Sequence, residues 1–248
     1  MTALFRRPRH NAILHVLESL DGDLFRQTEC FFGGGTAVAL ELDEYRESED
    51  IDFLCSSDRG YRRLRQEVFG VGFDALFKSK SRIKPLRETR TDQYGIRTAF
   101  EVDGISIQCE IVREGRIALA GDDRDRRSPV PVLSRVHMYA GKLLANTDRW
   151  ADAAVMNRDI IDLSMMISRW GEIPEEAWRL ARGAYGDTID RAFLGAVGRI
   201  RDPEWLRTCM DNMGIDRDLA GEILAPHGGP QPQDRGRENS GGGSYDEF

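Results

Sequence analysis

Two neighbouring stretches decide the fold: Phe32-Gly33-Gly34-Gly35-Thr36-Ala37-Val38-Ala39-Leu40, and then Arg46-Glu47-Ser48-Glu49-Asp50-Ile51-Asp52-Phe53. Thr28 to Phe32 reads as a short strand, the three glycines break it, and Thr36 to Leu42 resumes as a helix. A polar acidic loop from Asp43 to Glu49 leads into a second strand, Asp50 to Cys55, whose first half alternates acid and apolar. In a strand, residues two apart share a face, so Asp50 and Asp52 point together while Ile51 and Phe53 point to the core. Adjacent carboxylates repel, and the usual compensation is a divalent cation that both ligate through oxygen. Mg²⁺ suits such a pair, with Mn²⁺ as an alternative. The glycine turn exposes backbone N–H groups at the start of a helix, where the dipole and the unpaired donors favour phosphate. Singly these features are weak, because glycine turns are common and most Asp-x-Asp pairs are plain surface acid. In this order and spacing they specify nucleotide chemistry.

A third acid is expected for an ion that activates an attacking hydroxyl. Ile96–Val102 and Ile105–Val112 flank Asp103-Gly104, a favoured two-residue hairpin turn. Along the second strand Ser106, Gln108 and Glu110 share the polar face, so Glu110 can face the site. A structural reading competes: pairing Val102 with Ile105 and counting outward puts Arg97 opposite Glu110, an ordinary cross-strand ion pair.

Around this centre the chain divides by pattern. Helical periodicity covers residues 9 to 20 and 59 to 69. From Ser134 onward it is nearly continuous, over 134–147, 149–169 with a break near Asn157, 174–184, 187–200, 203–213 and 216–225. Pro129-Val130-Pro131 marks the boundary between an α/β part (1–130) and a helical part (131–226). The segment 227–248, rich in Gly, Pro and Ser and poor in apolar groups, predicts a disordered tail.

The 248 residues carry 35 Lys and Arg against 42 Asp and Glu, a net charge of -7, with a mean hydropathy of -0.48. No apolar run approaches the ~20 residues that a bilayer crossing needs, and the N-terminus does not read as a secretory signal, so a cytoplasmic monomer without membrane contact is expected. Cys30, Cys55, Cys109 and Cys209 lie far apart with no Cys-x-x-Cys, which argues against disulfides and a zinc site. Net acidity argues against indiscriminate nucleic-acid binding. One strip differs: Lys78 to Arg90 holds six basic groups and one acid. Lys78, Lys80, Arg82 and Lys84 there are candidates for contacting an RNA acceptor; the alternative is an edge strand kept from aggregating by its charges. Lys142, the one lysine outside that strip, lies in a helical pattern where Arg would serve equally for solubility. A compact ammonium at the helix surface, contributing to function more than to stability, is the reading that makes it informative.

The two opening stretches resemble the GG[ST]…R-x-S-x-D-[IL]-D-[FL] signature of the AbiEii/AbiGii nucleotidyltransferase toxins, a family that includes the MenT-like toxins. A second stretch is similar too: Pro131-Val-Leu-Ser134, Ala140-Gly-Lys142-Leu-Leu-Ala145, Arg149 and Arg158-Asp159-Ile-Ile-Asp162-Leu163. The resemblance spans about residues 28 to 165. It implies an α+β fold, a DNA polymerase β-like nucleotidyltransferase core with a mixed sheet followed by a helical C-terminal bundle. It also implies transfer of a nucleoside monophosphate from an NTP onto an acceptor hydroxyl, a tRNA 3′ end in the best-understood branch, by the toxin of a type IV toxin–antitoxin or abortive-infection system with a cognate antitoxin. Residue by residue, Gly34, Gly35 and Thr36 would hold the triphosphate, Asp50 and Asp52 the Mg²⁺, and Lys142 the phosphates. Asp159 would orient Lys142 or act on the acceptor, and Arg46 and Ser48 would serve as loop and phosphate contacts. The family more often has Asp where this chain has Glu110. Two other readings stay open: a non-catalytic NTP-binding module acting through a partner protein, and a small-molecule nucleotidyltransferase of the aminoglycoside type.

Overall fold

The computed structural model describes residues 5–78, 83–122 and 128–228. Helices α1 (Pro8–Ser19) and α2 (Gly22–Gln27) lead into β1 (Cys30–Gly33), α3 (Gly34–Glu41), β2 (Asp50–Cys55) and α4 (Asp58–Val68). Short strands β3 (Lys84–Pro85) and β4 (Arg90–Thr91) precede the hairpin β5 (Gly95–Val102) and β6 (Ile105–Arg113). Six α-helices follow among the described residues: α5 (Arg135–Arg149), α6 (Arg158–Trp170), α7 (Glu175–Tyr185), α8 (Thr188–Ile200), α9 (Pro203–Asn212) and α10 (Ala220–Leu224). The architecture is α+β, as the sequence predicts.

The sheet runs β1-β2-β6-β5-β3, with β4 also on β5, and is mixed because β2 and β6 alone pair in parallel. The hairpin register follows from its turn. Asp103 and Gly104 both take positive φ, 51° and 78°, the backbone that matches strand twist in a two-residue loop. Val102 therefore faces Ile105, and five residues out Arg97 faces Glu110. Ile51, Phe53, Ile107 and Ile111 are fully buried, and they belong to one core that also takes in Leu143, Ile160 and Ile161 of the helical part. The expected break near Asn157 is real: Met156 and Asn157 are both left-handed. The Asn157 amide donates to the Trp150 carbonyl at 2.9 Å and accepts from the Trp205 indole at 2.8 Å, which fixes how α6 returns along α5.

Three features add to or change the expectations. Helix α2 lacks the length for an amphipathic signature; its visible cue is Asp21, whose carboxylate caps the N–H groups of Asp23 and Leu24. The basic strip contributes the edge strands β3 and β4, the outcome its charge pattern allowed. His227 is not part of a tail: it ends the last helical turn (Ala225–His227), with Nε2 2.8 Å from Ser164 Oγ and its ring edge-on to Phe193. Its polar character hid a half-buried packing role. The rest of the expected tail, 229–248, lies outside the described residues.

Candidate active site

β1 ends at the glycine turn, and its antiparallel register with β2 sets Gly33 opposite Asp52. Gly34 takes φ 68°, open to glycine at little cost, and a methyl group there would sit 2.3 Å from Asp52 Oδ2. On Gly35 a methyl would sit 2.3 Å from the Arg46 guanidinium and 3.5 Å from Lys142 Nζ. Each of these two glycines is thus required by a close approach, one to an acid and one to the cations beyond it.

The parallel pairing of β2 with β6 places Glu110 beside Asp52, and the hairpin places Arg97 beside Glu110. The cross-strand pair with Arg97 is formed, and it leaves Glu110 at the cleft. Glu110 lines the same cleft as Asp50 and Asp52, and it pairs with Arg97 Nε at 2.6 Å, while Arg97 also reaches Asp92 at 3.0 Å. The cleft, about 650 Å³, is lined by the glycine turn, by Asp50 and Asp52 of β2, and by Lys142, Arg149 and Arg158.

Behind the cleft runs a chain of alternating charge. Arg46 clamps Asp162 through Nε at 2.7 Å and Nη2 at 3.0 Å, and the Tyr45 hydroxyl donates to the same carboxylate. Lys142 bridges Asp162 at 2.5 Å and Asp159 at 2.9 Å, and Arg149 holds Asp159 through Nε at 2.7 Å and Nη2 at 3.0 Å. Asp159 and Asp162, three apart on α6, share the face turned to α5. Three cations meet two carboxylates, leaving one net positive charge at the wall of the cleft.

The sequence family of nucleotidyl transferase AbiEii toxins, of type IV toxin–antitoxin systems, matches residues 16–224. The chain belongs to this family. Among solved structures it is similar to a candidate nucleotidyltransferase from H. pylori, at 15% identity over 88% of this chain and 90% of that one with a TM-score of 0.45. It is also similar to JHP933 from Helicobacter pylori, at 13% identity over 80% and 96% with a TM-score of 0.34. No curated protein sequence matches it.

Within this AbiEii chain the electrostatics divide the acids into two groups. Burial pushes Asp52 up to about 6, helped by Asp50 and Glu110 and opposed by Lys142. Asp50 is raised as well, by burial first and then Glu49. Burial would also raise Asp159, but Lys142 and Arg149 outweigh it and hold that carboxyl well below the usual range; Arg46 and Lys142 do the same for Asp162. One pair is thus charge-starved and the other charge-satisfied. Among the described residues neither Asp50 nor Asp52 forms an ion pair, and their hard oxygens fit Mg²⁺ or Mn²⁺. No three acidic, His or Cys side chains among the described residues converge to hold a metal unaided. Glu110 is drawn off by Arg97, so further ligands would come from the substrate.

Several expected roles change. Lys142 is no helix-surface lysine: it is 6% exposed and locked between two acids. Arg46 lines the cleft but is buried and clamped to Asp162, so it is not the free phosphate contact expected of a loop arginine. Thr36 is buried, its hydroxyl 2.5 Å from the Asp50 carbonyl and 2.8 Å from Ser48 Oγ, so Thr36 and Ser48 latch the loop onto β2. Lys78 is exposed and reaches the Glu18 carbonyl at 3.4 Å, away from the cleft; Lys84 sits on β3, three strands from β2 or about 14 Å at ordinary strand spacing. Lys80 and Arg82 lie outside the described residues. By sequence Asp162 is an alternative to Asp159 as the acid that acts in the site, Arg149 and Arg158 are only letters of the second stretch, and Tyr45 has no part. The signal for Asp162 was its i, i+3 spacing from Asp159 on an otherwise apolar helix.

Proposed function

We propose that the protein transfers a nucleoside monophosphate from an NTP to an RNA hydroxyl, the 3′ end of a tRNA, releasing pyrophosphate, and that a cognate antitoxin opposes this activity. The observation that carries the reading is the unpaired Asp50–Asp52 couple set directly against the glycine turn, with the Lys142 ammonium close to Gly35 in the same cleft. Asp50 and Asp52 would hold Mg²⁺, which when bound supplies electrophilic activation of the α-phosphate and neutralises developing charge. The chain's own groups position. N–H groups of the Gly34–Gly35 turn and the net positive charge of the Arg46–Asp162–Lys142–Asp159–Arg149 chain favour a polyphosphate. Asp159, saturated by two cations and strongly acidic, suits orientation of Lys142 and not proton abstraction from an acceptor. Glu110, shared with Arg97, serves as a neighbour that tunes Asp52.

The test is incubation with Mg²⁺, each α-labelled NTP and tRNA. Label on tRNA that disappears with Asp50→Asn or Asp52→Asn supports the reading. Label on no RNA with any NTP, although the NTP binds, would overturn it in favour of a binding module.

A further inference from the structure

His10 is fully buried in α1 and is not among the residues lining the cleft, and nothing in the reaction outlined above uses it. Its Nδ1 lies 2.7 Å from Glu44 Oε1, and its Nε2 accepts the Ser48 N–H at 3.1 Å. Glu44 is itself fixed, taking the Arg6 N–H at 2.6 Å and the Arg7 N–H at 3.0 Å at the start of α1. A carboxylate on Nδ1 puts the proton there, which leaves the Nε2 lone pair for Ser48. Burial lowers the affinity of the ring for a second proton, consistent with that neutral tautomer.

The contacts continue inward. Ser48 Oγ lies 2.8 Å from Thr36 Oγ1, which donates to the Asp50 carbonyl at 2.5 Å. Two left-handed residues, Asp43 and Glu44, open this loop, and Arg46 ties its middle to Asp162. Its last anchor before the strand is the His10–Ser48 bond, and the strand begins at Asp50.

On the nucleotidyltransferase reading above, we infer that His10 is a positioning residue for Asp50 and Asp52, acting through the Ser48 amide and the Thr36 hydroxyl to set where β2 begins relative to the glycine turn. Small displacements of aligned groups cost much rate while leaving substrate affinity nearly intact, so the effect belongs in kcat.

Two substitutions separate the two bonds of the ring. His10→Asn keeps an amide near Nδ1 for Glu44 and loses the acceptor for Ser48; His10→Gln carries an acceptor to the Nε2 position and gives up Glu44. Each loses one buried bond, so a role in stability alone would lower activity equally, in step with melting temperature. Positioning through Ser48 predicts that His10→Asn loses about tenfold or more in kcat, with KM for the NTP within about twofold, while His10→Gln stays within about threefold of wild type. Exchange of the Ser48 amide, which needs no turnover, should be slow in wild type and His10→Gln and fast in His10→Asn. Equal kcat losses in both variants, a loss expressed in KM alone, or Ser48 exchange that does not distinguish them would each overturn the inference. A wild type that binds NTP yet transfers nothing would instead count against the reaction, and the exchange measurement would still decide the His10–Ser48 link.

Discussion

Asp52 carries the largest electrostatic strain of the candidate site, and Asp52→Asn measures it. The carboxyl is pushed from 3.8 to about 6 by burial and by Asp50, while the unfolded chain returns it to the ordinary value. Between those two pH values the native state binds more protons than the unfolded state, so stability falls as pH rises through the window. Above it the ionised Asp52 costs up to about 3 kcal/mol, from ~1.4 kcal/mol for each unit of pKa difference. Asn keeps the shape against Gly34 and removes the charge. In chelator at pH 7.5 the variant should therefore melt higher than wild type, by up to about 6 to 12 °C for a domain of this size. The gap should close below pH 4, where wild-type Asp52 is protonated in both states. Mg²⁺ with a non-hydrolysable NTP should raise the wild-type midpoint and leave that of the variant nearly unmoved, because ligand binding is linked to folding only where the site is intact. Thermal unfolding from pH 3.5 to 8, with and without Mg²⁺-NTP, reads all three effects. A variant that melts lower than wild type at pH 7.5, or a gap independent of pH, would refute the view that Asp52 is held against its own solvation for a metal.

Three further outcomes follow from the same geometry. Lys142→Met should abolish transfer and also destabilise the fold by about 3 kcal/mol, the low end for breaking a buried ion pair because Arg46 and Arg149 still serve the two acids; denaturant unfolding that shows no loss would put Lys142 outside the network. Gly34→Ala should cost about 1 to 2 kcal/mol from its left-handed φ alone and should lower NTP affinity more than tenfold, measured by calorimetry, since its methyl collides with Asp52. A chain ending at Pro226 should melt below one ending at Gly228, by a few degrees for the ~1 kcal/mol that the His227–Ser164 bond and the ring packing on Phe193 contribute; equal midpoints would show that His227 stabilises nothing.

How much of this was legible depended on whether a feature is local. The face shared by Asp50 and Asp52, the Asp103-Gly104 turn and the Arg97–Glu110 register are consequences of a two-residue period and a two-residue loop, and they emerge from a few consecutive letters. The same counting could not say that β6 lies parallel to β2, because that pairing joins residues nearly sixty apart and puts Glu110 beside Asp52 only after the chain has folded. The polar residues of the second stretch were visible but not their burial. A lone lysine on a helix gives no local sign that two aspartates from another helix will enclose it, and composition reads an arginine in an acidic loop as solvated.

The misplacement of Lys142 and Arg46 has one physical origin, and it bears on what the site does. A buried cation survives only with partners, so Asp159 and Asp162 are the condition for placing Lys142 and Arg46 at the wall of the cleft at all. The two satisfied acids on α6 and the two unsatisfied acids on β2 are then complementary halves of one arrangement. On the proposed function, the first would hold positive charge toward a polyphosphate, and the second would leave negative charge for a cation. Arg46 extends the coupling, since the loop that carries it to Asp162 also carries Ser48 to Thr36 and thence to the first residue of β2. A disturbance at Asp162 should therefore be felt at Asp50 through the three residues Arg46 to Ser48 and three side-chain bonds.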